Sequence, residues 1–157
     1  MPTQLRYKIK SALLAASCTA LLACVGTVDT DGLPALDGYD SWYRLDAAGI
    51  LPGHGESYRV IYANDTARQY QHAGVYPVGS VLVKEIRDID ANGGPGDLRY
   101  LGVMRRLAEA PPGGKLEGGW QFTIFGDLGD AERQGSTCWD RCHVQAPIAG
   151  AWIDYGQ

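Results

Sequence analysis

Ser80–Ile86 reads SVLVKEI, and its alternation sets the fold. In an extended strand Leu82, Lys84 and Ile86 share one face, while Val81, Val83 and Glu85 share the other. Branched apolar residues on both faces place this strand inside a sheet rather than at its edge. Lys84 then sits between Leu82 and Ile86 on an apolar face. A buried ammonium costs several kcal/mol unless it is paired, or else it gives up its proton. Deprotonated, a lysine is a nucleophile. Two ordinary outcomes stand beside that one: the chain carries the ammonium out to the sheet edge, or an acid pairs with it.

Segments on either side extend the pattern. SYRVIYAN before it, and LRYLGVMRRL and WQFTIFG after it, alternate or are β-rich, and glycine- and proline-rich turns separate them. DSWYRLDAAG reads as a short helix from an Asp40 or Ser41 cap to Gly49, and NDTARQYQHAG as another, capped at Asn64 or Asp65 and closed by Gly74. DLGDAERQGST is mostly polar, and the CWDRCH segment that follows it is expected to be helical. The expected fold is α+β with β dominant: an antiparallel sheet of about four to five strands with a few short helices.

The N-terminus carries Arg6, Lys8 and Lys10, then the apolar run ALLAASCTALLAC. That order describes a secretory signal, too short for a transmembrane span. Its end, LLAC, resembles a bacterial lipobox, with Cys24 as the lipid-bearing residue after cleavage; a plain signal cut nearby is the alternative. Residues 1–23 are thus expected as a lipoprotein-type signal, 24–38 as a polar tether and 39–157 as one domain. Removing the leader leaves eleven basic residues against 18 acidic ones, a net charge of −7. That balance disfavours nucleic acid and favours small neutral molecules or cationic partners. The expected location is the periplasm or cell envelope, on the membrane through the N-terminal lipid.

Cys138–His143 reads CWDRCH. Cys18 leaves with the signal and Cys24 goes to lipid, so Cys138 and Cys142 remain, beside His143. Haem-attachment sites usually read C-x-x-C-H, with one residue fewer between the cysteines. An oxidising compartment also favours a disulfide. Zinc would need a fourth ligand. At this point covalent haem, a disulfide in a haem-free lipoprotein, and zinc are all open.

YPVGSVLVKE, then GGWQF, then the cysteine pair with histidine, resembles the cytochrome P460 family over roughly Trp42 to Tyr155. The resemblance implies a secreted, mostly β, often homodimeric protein with haem c. Cys138 and Cys142 would form thioethers to the haem, and His143 would be the proximal iron ligand. Lys84 matches the lysine that bonds to a porphyrin meso carbon. Such proteins oxidise hydroxylamine, with nitric oxide, and pass electrons to an external acceptor. The related β-type cytochromes c′ lack the cross-link and bind nitric oxide or carbon monoxide at a five-coordinate iron.

An open iron face needs one strong axial ligand and no second. His54, in LPGHGES, and His72 are expected at the surface, and Met104 in the core. The family's distal carboxylate has no counterpart in LRYLGVMRRLAEA, where Glu109 comes only at the end. Arg105 is a candidate donor to a bound oxyanion, or else points outward.

Overall fold

The computed structural model describes residues 27–51, 54–70 and 74–152. The signal segment, Cys24 and His72 lie outside the described residues. Six strands form one antiparallel sheet in sequence order: β1 (Tyr43–Leu51), β2 (Gly55–Ala63), β3 (Val81–Ile89), β4 (Pro95–Arg106), β5 (Trp120–Phe125) and β6 (Arg133–Gln134). The Ser80–Ile86 stretch is central, as its alternation requires, with β2 on one side and β4 on the other.

Strand register sorts the side chains into two faces. On one, Val60, Tyr62, Val81, Val83, Leu101, Val103 and Phe125 pack beneath Leu36, Tyr39 and Trp42. On the other, Ile61, Leu82, Trp120 and Phe122 pack beneath Tyr70, Tyr76 and the C-terminal segment, including Cys138, Trp139 and Ile148. Three cross-sheet neighbours of this second face matter below. Lys84 is paired to Ile61 of β2 and to Gly102 of β4, and Gly102 in turn to Ile124 of β5.

The sheet is larger than the sequence suggested, at both edges. Asp40–Gly49 is not a helix: a 3₁₀ turn at Tyr39–Ser41 leads directly into β1. Asp40 or Ser41 looks like a helix cap and Gly49 like a helix stop, but pairing with β2 along the whole of β1 outweighs that local signal. Arg44 and Asp46, two residues apart, form an ion pair at 2.7 Å, which the strand's two-residue repeat permits. The second expected helix is only a 3₁₀ turn at Ala67–Gln69. At the other edge β6 is just two residues, Arg133–Gln134, held opposite Thr123 and Ile124.

The expected tether is docked from Thr27 onward. Thr27 bridges Arg133, the Val28 amide donates to the Glu132 carbonyl at 2.9 Å, and the Val28 and Leu36 side chains are buried. Two apolar residues in an otherwise polar stretch suffice to hold it against the sheet.

Candidate haem site

CWDRCH folds as the sequence suggested. Helix α1 (Cys138–Arg141) is a single turn with Cys142 as its C-cap, followed by a 3₁₀ turn at His143–Gln145. The extra residue therefore completes a helical turn, and Cys138 and Cys142 stand four apart on one side of it. Both are free thiols and both are partly exposed. Trp139 anchors the turn: its ring packs against Phe122 at 6.3 Å between centroids and lies over Gly118 and Gly150. Gly118 has φ +58°, and a methyl there would overlap the Trp139 ring, so glycine is needed twice over.

His143 lies against Phe122, centroids 4.9 Å apart and rings tilted by 51°, and its Nδ1 lies 2.7 Å from the Gly150 carbonyl oxygen. A carbonyl only accepts, so Nδ1 carries the proton and Nε2 keeps its lone pair. This is the tautomer a metal ligand needs, fixed by its outer partner. Burial pushes the His143 pKa down, against the Gly150 hydrogen bond, and so favours the neutral ring. Burial raises the Cys138 thiol, helped by Glu117 and Cys142 and opposed by Lys84.

Lys84 joins this group. Its charge acts on Cys138, Cys142 and His143. Burial, then repulsion from Arg59, lowers its pKa to about 8. Its hydrogen-bonding neighbour is not an acid but His54: Nζ lies 3.4 Å from His54 Nε2. His54 Nδ1 lies 2.8 Å from the Tyr100 hydroxyl. His54 is thus a half-buried member of the site rather than a surface residue. Burial first, then Lys84, hold its pKa near 4. No feature of LPGHGES marks it, because its neighbours come from strands 30 and 46 residues away. Tyr100 was not singled out either; the register with β3, which puts it opposite Ile86, places it on the face that Lys84 shares.

Arg105 is not in the group. It lies on the opposite face of β4, neither offered to a ligand nor outward-pointing. It is 2 % exposed and makes a bidentate pair with Glu132 at 2.6 and 2.7 Å, beside Thr123. Met104 packs in the core, as expected. Glu109 is exposed beyond the end of β4.

The residues fit a flat apolar group. A Cβ built on Gly102 would meet only the Lys84 carbonyl oxygen, at 3.9 Å, so the sheet face beside Lys84 carries a gap. Ile124, next in the same row, is 40 % exposed, and a cavity of about 550 Å³ opens there, lined by Tyr100, Ile124, Asp130 and Arg133 among others. Two thiols, an imidazole with a free Nε2 lone pair and a lysine whose pKa is lowered to about 8 thus lie within one another's electrostatic reach on this face, while the cavity itself is lined by other residues. Such a donor set suits covalent attachment of haem with one axial histidine.

The sequence model of one family, cytochrome P460, matches residues 36–149, nearly three quarters of the chain. The protein belongs to the cytochrome P460 family, and membership implies a haem cofactor. No curated protein matches the chain.

The pKa values of Lys84 and His54 predict how the haem-free protein responds to pH. Lys84 titrates near 8 when folded, against its ordinary 10.5. Between those values the unfolded chain binds more protons, so stability rises with pH across that window. His54, near 4 against 6.5, gives a second rise between those values. Denaturant melts of wild type and Lys84→Met at pH 7.5 and 10 check this. Wild type should gain more stability than the variant between the two; equal gains would contradict the assignment.

Proposed function

We propose that the protein is a c-type haem protein that converts hydroxylamine or nitric oxide at a five-coordinate iron. The observation that carries the reading is the grouping of Cys138, Cys142 and His143 with Lys84, close enough for the lysine's charge to act on all three, on the sheet face that also bears Gly102. Cys138 and Cys142 would hold the haem as thioethers. His143 Nε2 would ligate the iron, with Gly150 keeping its tautomer. Lys84 Nζ would be the site of a further bond to the porphyrin. Bound haem would supply a redox-active iron and a path for electrons from a nitrogen compound to an external acceptor. Phe122, buried and in contact with both the Trp139 and His143 rings, gives the imidazole an apolar neighbour on one side.

A second reading is nitric oxide binding without turnover. It is favoured by the side chains that β4 presents to the site: Tyr100, Gly102 and Met104 include no carboxylate to take a proton from substrate. Mixing the haem-loaded protein with hydroxylamine and an external oxidant separates the two. Oxidant-dependent loss of hydroxylamine is expected; nitric oxide binding with no consumption would favour the second reading.

The proposed location is the cell envelope, with Cys24 as the lipid anchor. Two residues, Val25 and Gly26, separate Cys24 from the docked Thr27. Three chain steps of at most about 3.5 Å each would keep the lipid-bearing residue within roughly 10 Å of the domain.

A further inference from the structure

Two residues of the site, His54 and Tyr100, have no part in the function proposed above. They form a hydrogen-bonded chain that ends on Lys84: Nζ to His54 Nε2 at 3.4 Å, and His54 Nδ1 to the Tyr100 oxygen at 2.8 Å. An ammonium only donates, so Nε2 accepts and the His54 proton is on Nδ1, directed at the tyrosine oxygen. Both ends of the ring therefore agree on one tautomer. We propose that His54, held by Tyr100, is a positioning residue for Lys84, which keeps its nitrogen over the gap at Gly102 with the lone pair facing the group bound there.

The stereochemistry follows from the sheet. Lys84 is flanked by Ile61 on β2, which closes one side, and by Gly102 on β4, which leaves the other open. When the ammonium loses a proton, one remaining N–H stays on His54 Nε2. The lone pair is then confined to the two remaining positions on the nitrogen rather than free to sweep all three by rotation about the last bond of the side chain. Confining a nucleophile in this way is a large part of what an enclosed site contributes to bond formation. A neutral His54 suits the role, since a charged ring would repel the ammonium; burial and the Lys84 charge both keep it neutral.

The inference rests on the haem reading for the identity of the bound group. The step it serves is bond formation between Lys84 Nζ and a porphyrin edge carbon. One N–H and one C–H bond break. The two protons and two electrons released reduce one hydrogen peroxide, the oxidant class invoked here, to two waters.

Two measurements test it. In the haem-free protein, nitrogen NMR of labelled histidine should show His54 as the Nδ1–H tautomer, and Lys84→Met should move it toward Nε2–H, the form that free imidazole side chains favour. A wild-type Nε2–H ring, or one unmoved by Lys84→Met, overturns the proposal. In haem-loaded protein treated with peroxide, mass analysis of the peptide bearing residue 84 reads the cross-linked fraction. His54→Phe should lower it at least tenfold and His54→Gln, which keeps an acceptor, less so, with haem staining of both variants equal to wild type. An undiminished cross-link in His54→Phe overturns the proposal. A chain that takes up no haem overturns the haem reading alone, and the tautomer result then decides the present inference.

Discussion

Replacing Trp120 with alanine is expected to cost about 3–5 kcal/mol of folding stability and to loosen the haem site with it. Trp120 is fully buried, packs edge-on to Tyr76 at 5.2 Å, and donates its indole N–H to the Ala149 carbonyl at 2.7 Å. Gly150, whose carbonyl fixes the His143 tautomer, rests on the same indole ring. One side chain therefore supports both the core and the loop that orients the proposed axial ligand. Two effects should appear together: a lower denaturant midpoint, and loss of the Nδ1–H signature of His143 in histidine NMR. Trp120→Phe, which keeps most of the volume but not the donor, should lose less stability and still disturb His143. A variant with wild-type His143 behaviour would show that the loop is held by other contacts.

Replacing Glu132 with alanine is expected to be of similar size, about 3–5 kcal/mol, for a different reason. It would leave the Arg105 guanidinium buried with its carboxylate partner gone and, among the described residues, with Thr123 and the Pro34 carbonyl as its remaining acceptors. The cost is that of an uncompensated charge, not the worth of the ion pair. Hence the double replacement Arg105→Met with Glu132→Leu should recover most of the loss. Equilibrium unfolding of the two single variants and the double forms the cycle. Additive losses would mean that the two groups do not act as a pair. Neither change touches the site face, so the His143 NMR signature should stay as in wild type.

Arg105 also marks what the sequence conceals. Alternation along β4 separates Met104 from Arg105, but where both faces are buried it does not say which one carries the site. The partner that settles it, Glu132, is 27 residues away in a mostly polar stretch. The central strands were legible because β3 and β4 carry branched residues at a two-residue period, and CWDRCH was legible because its cysteines are one helical turn apart. β1 was misread because Asp40 or Ser41 looks like a helix cap and Gly49 like a helix stop, while the force that makes it a strand, pairing with β2, acts through residues up to twenty positions away. Lys84 was conspicuous as a charge on an apolar face. Its neighbour His54 was not, since a histidine among glycines looks the same whether its loop lies on solvent or folds over a sheet.

The central claim is that Cys138, Cys142 and His143 hold haem covalently. Expressing the whole chain with a haem-attachment system and staining a denaturing gel for haem tests it directly. Wild type should give a stained band, and the double variant Cys138→Ser with Cys142→Ser should give none while still folding. An unstained wild-type band, with Cys138 and Cys142 joined to each other as a disulfide, would contradict the account.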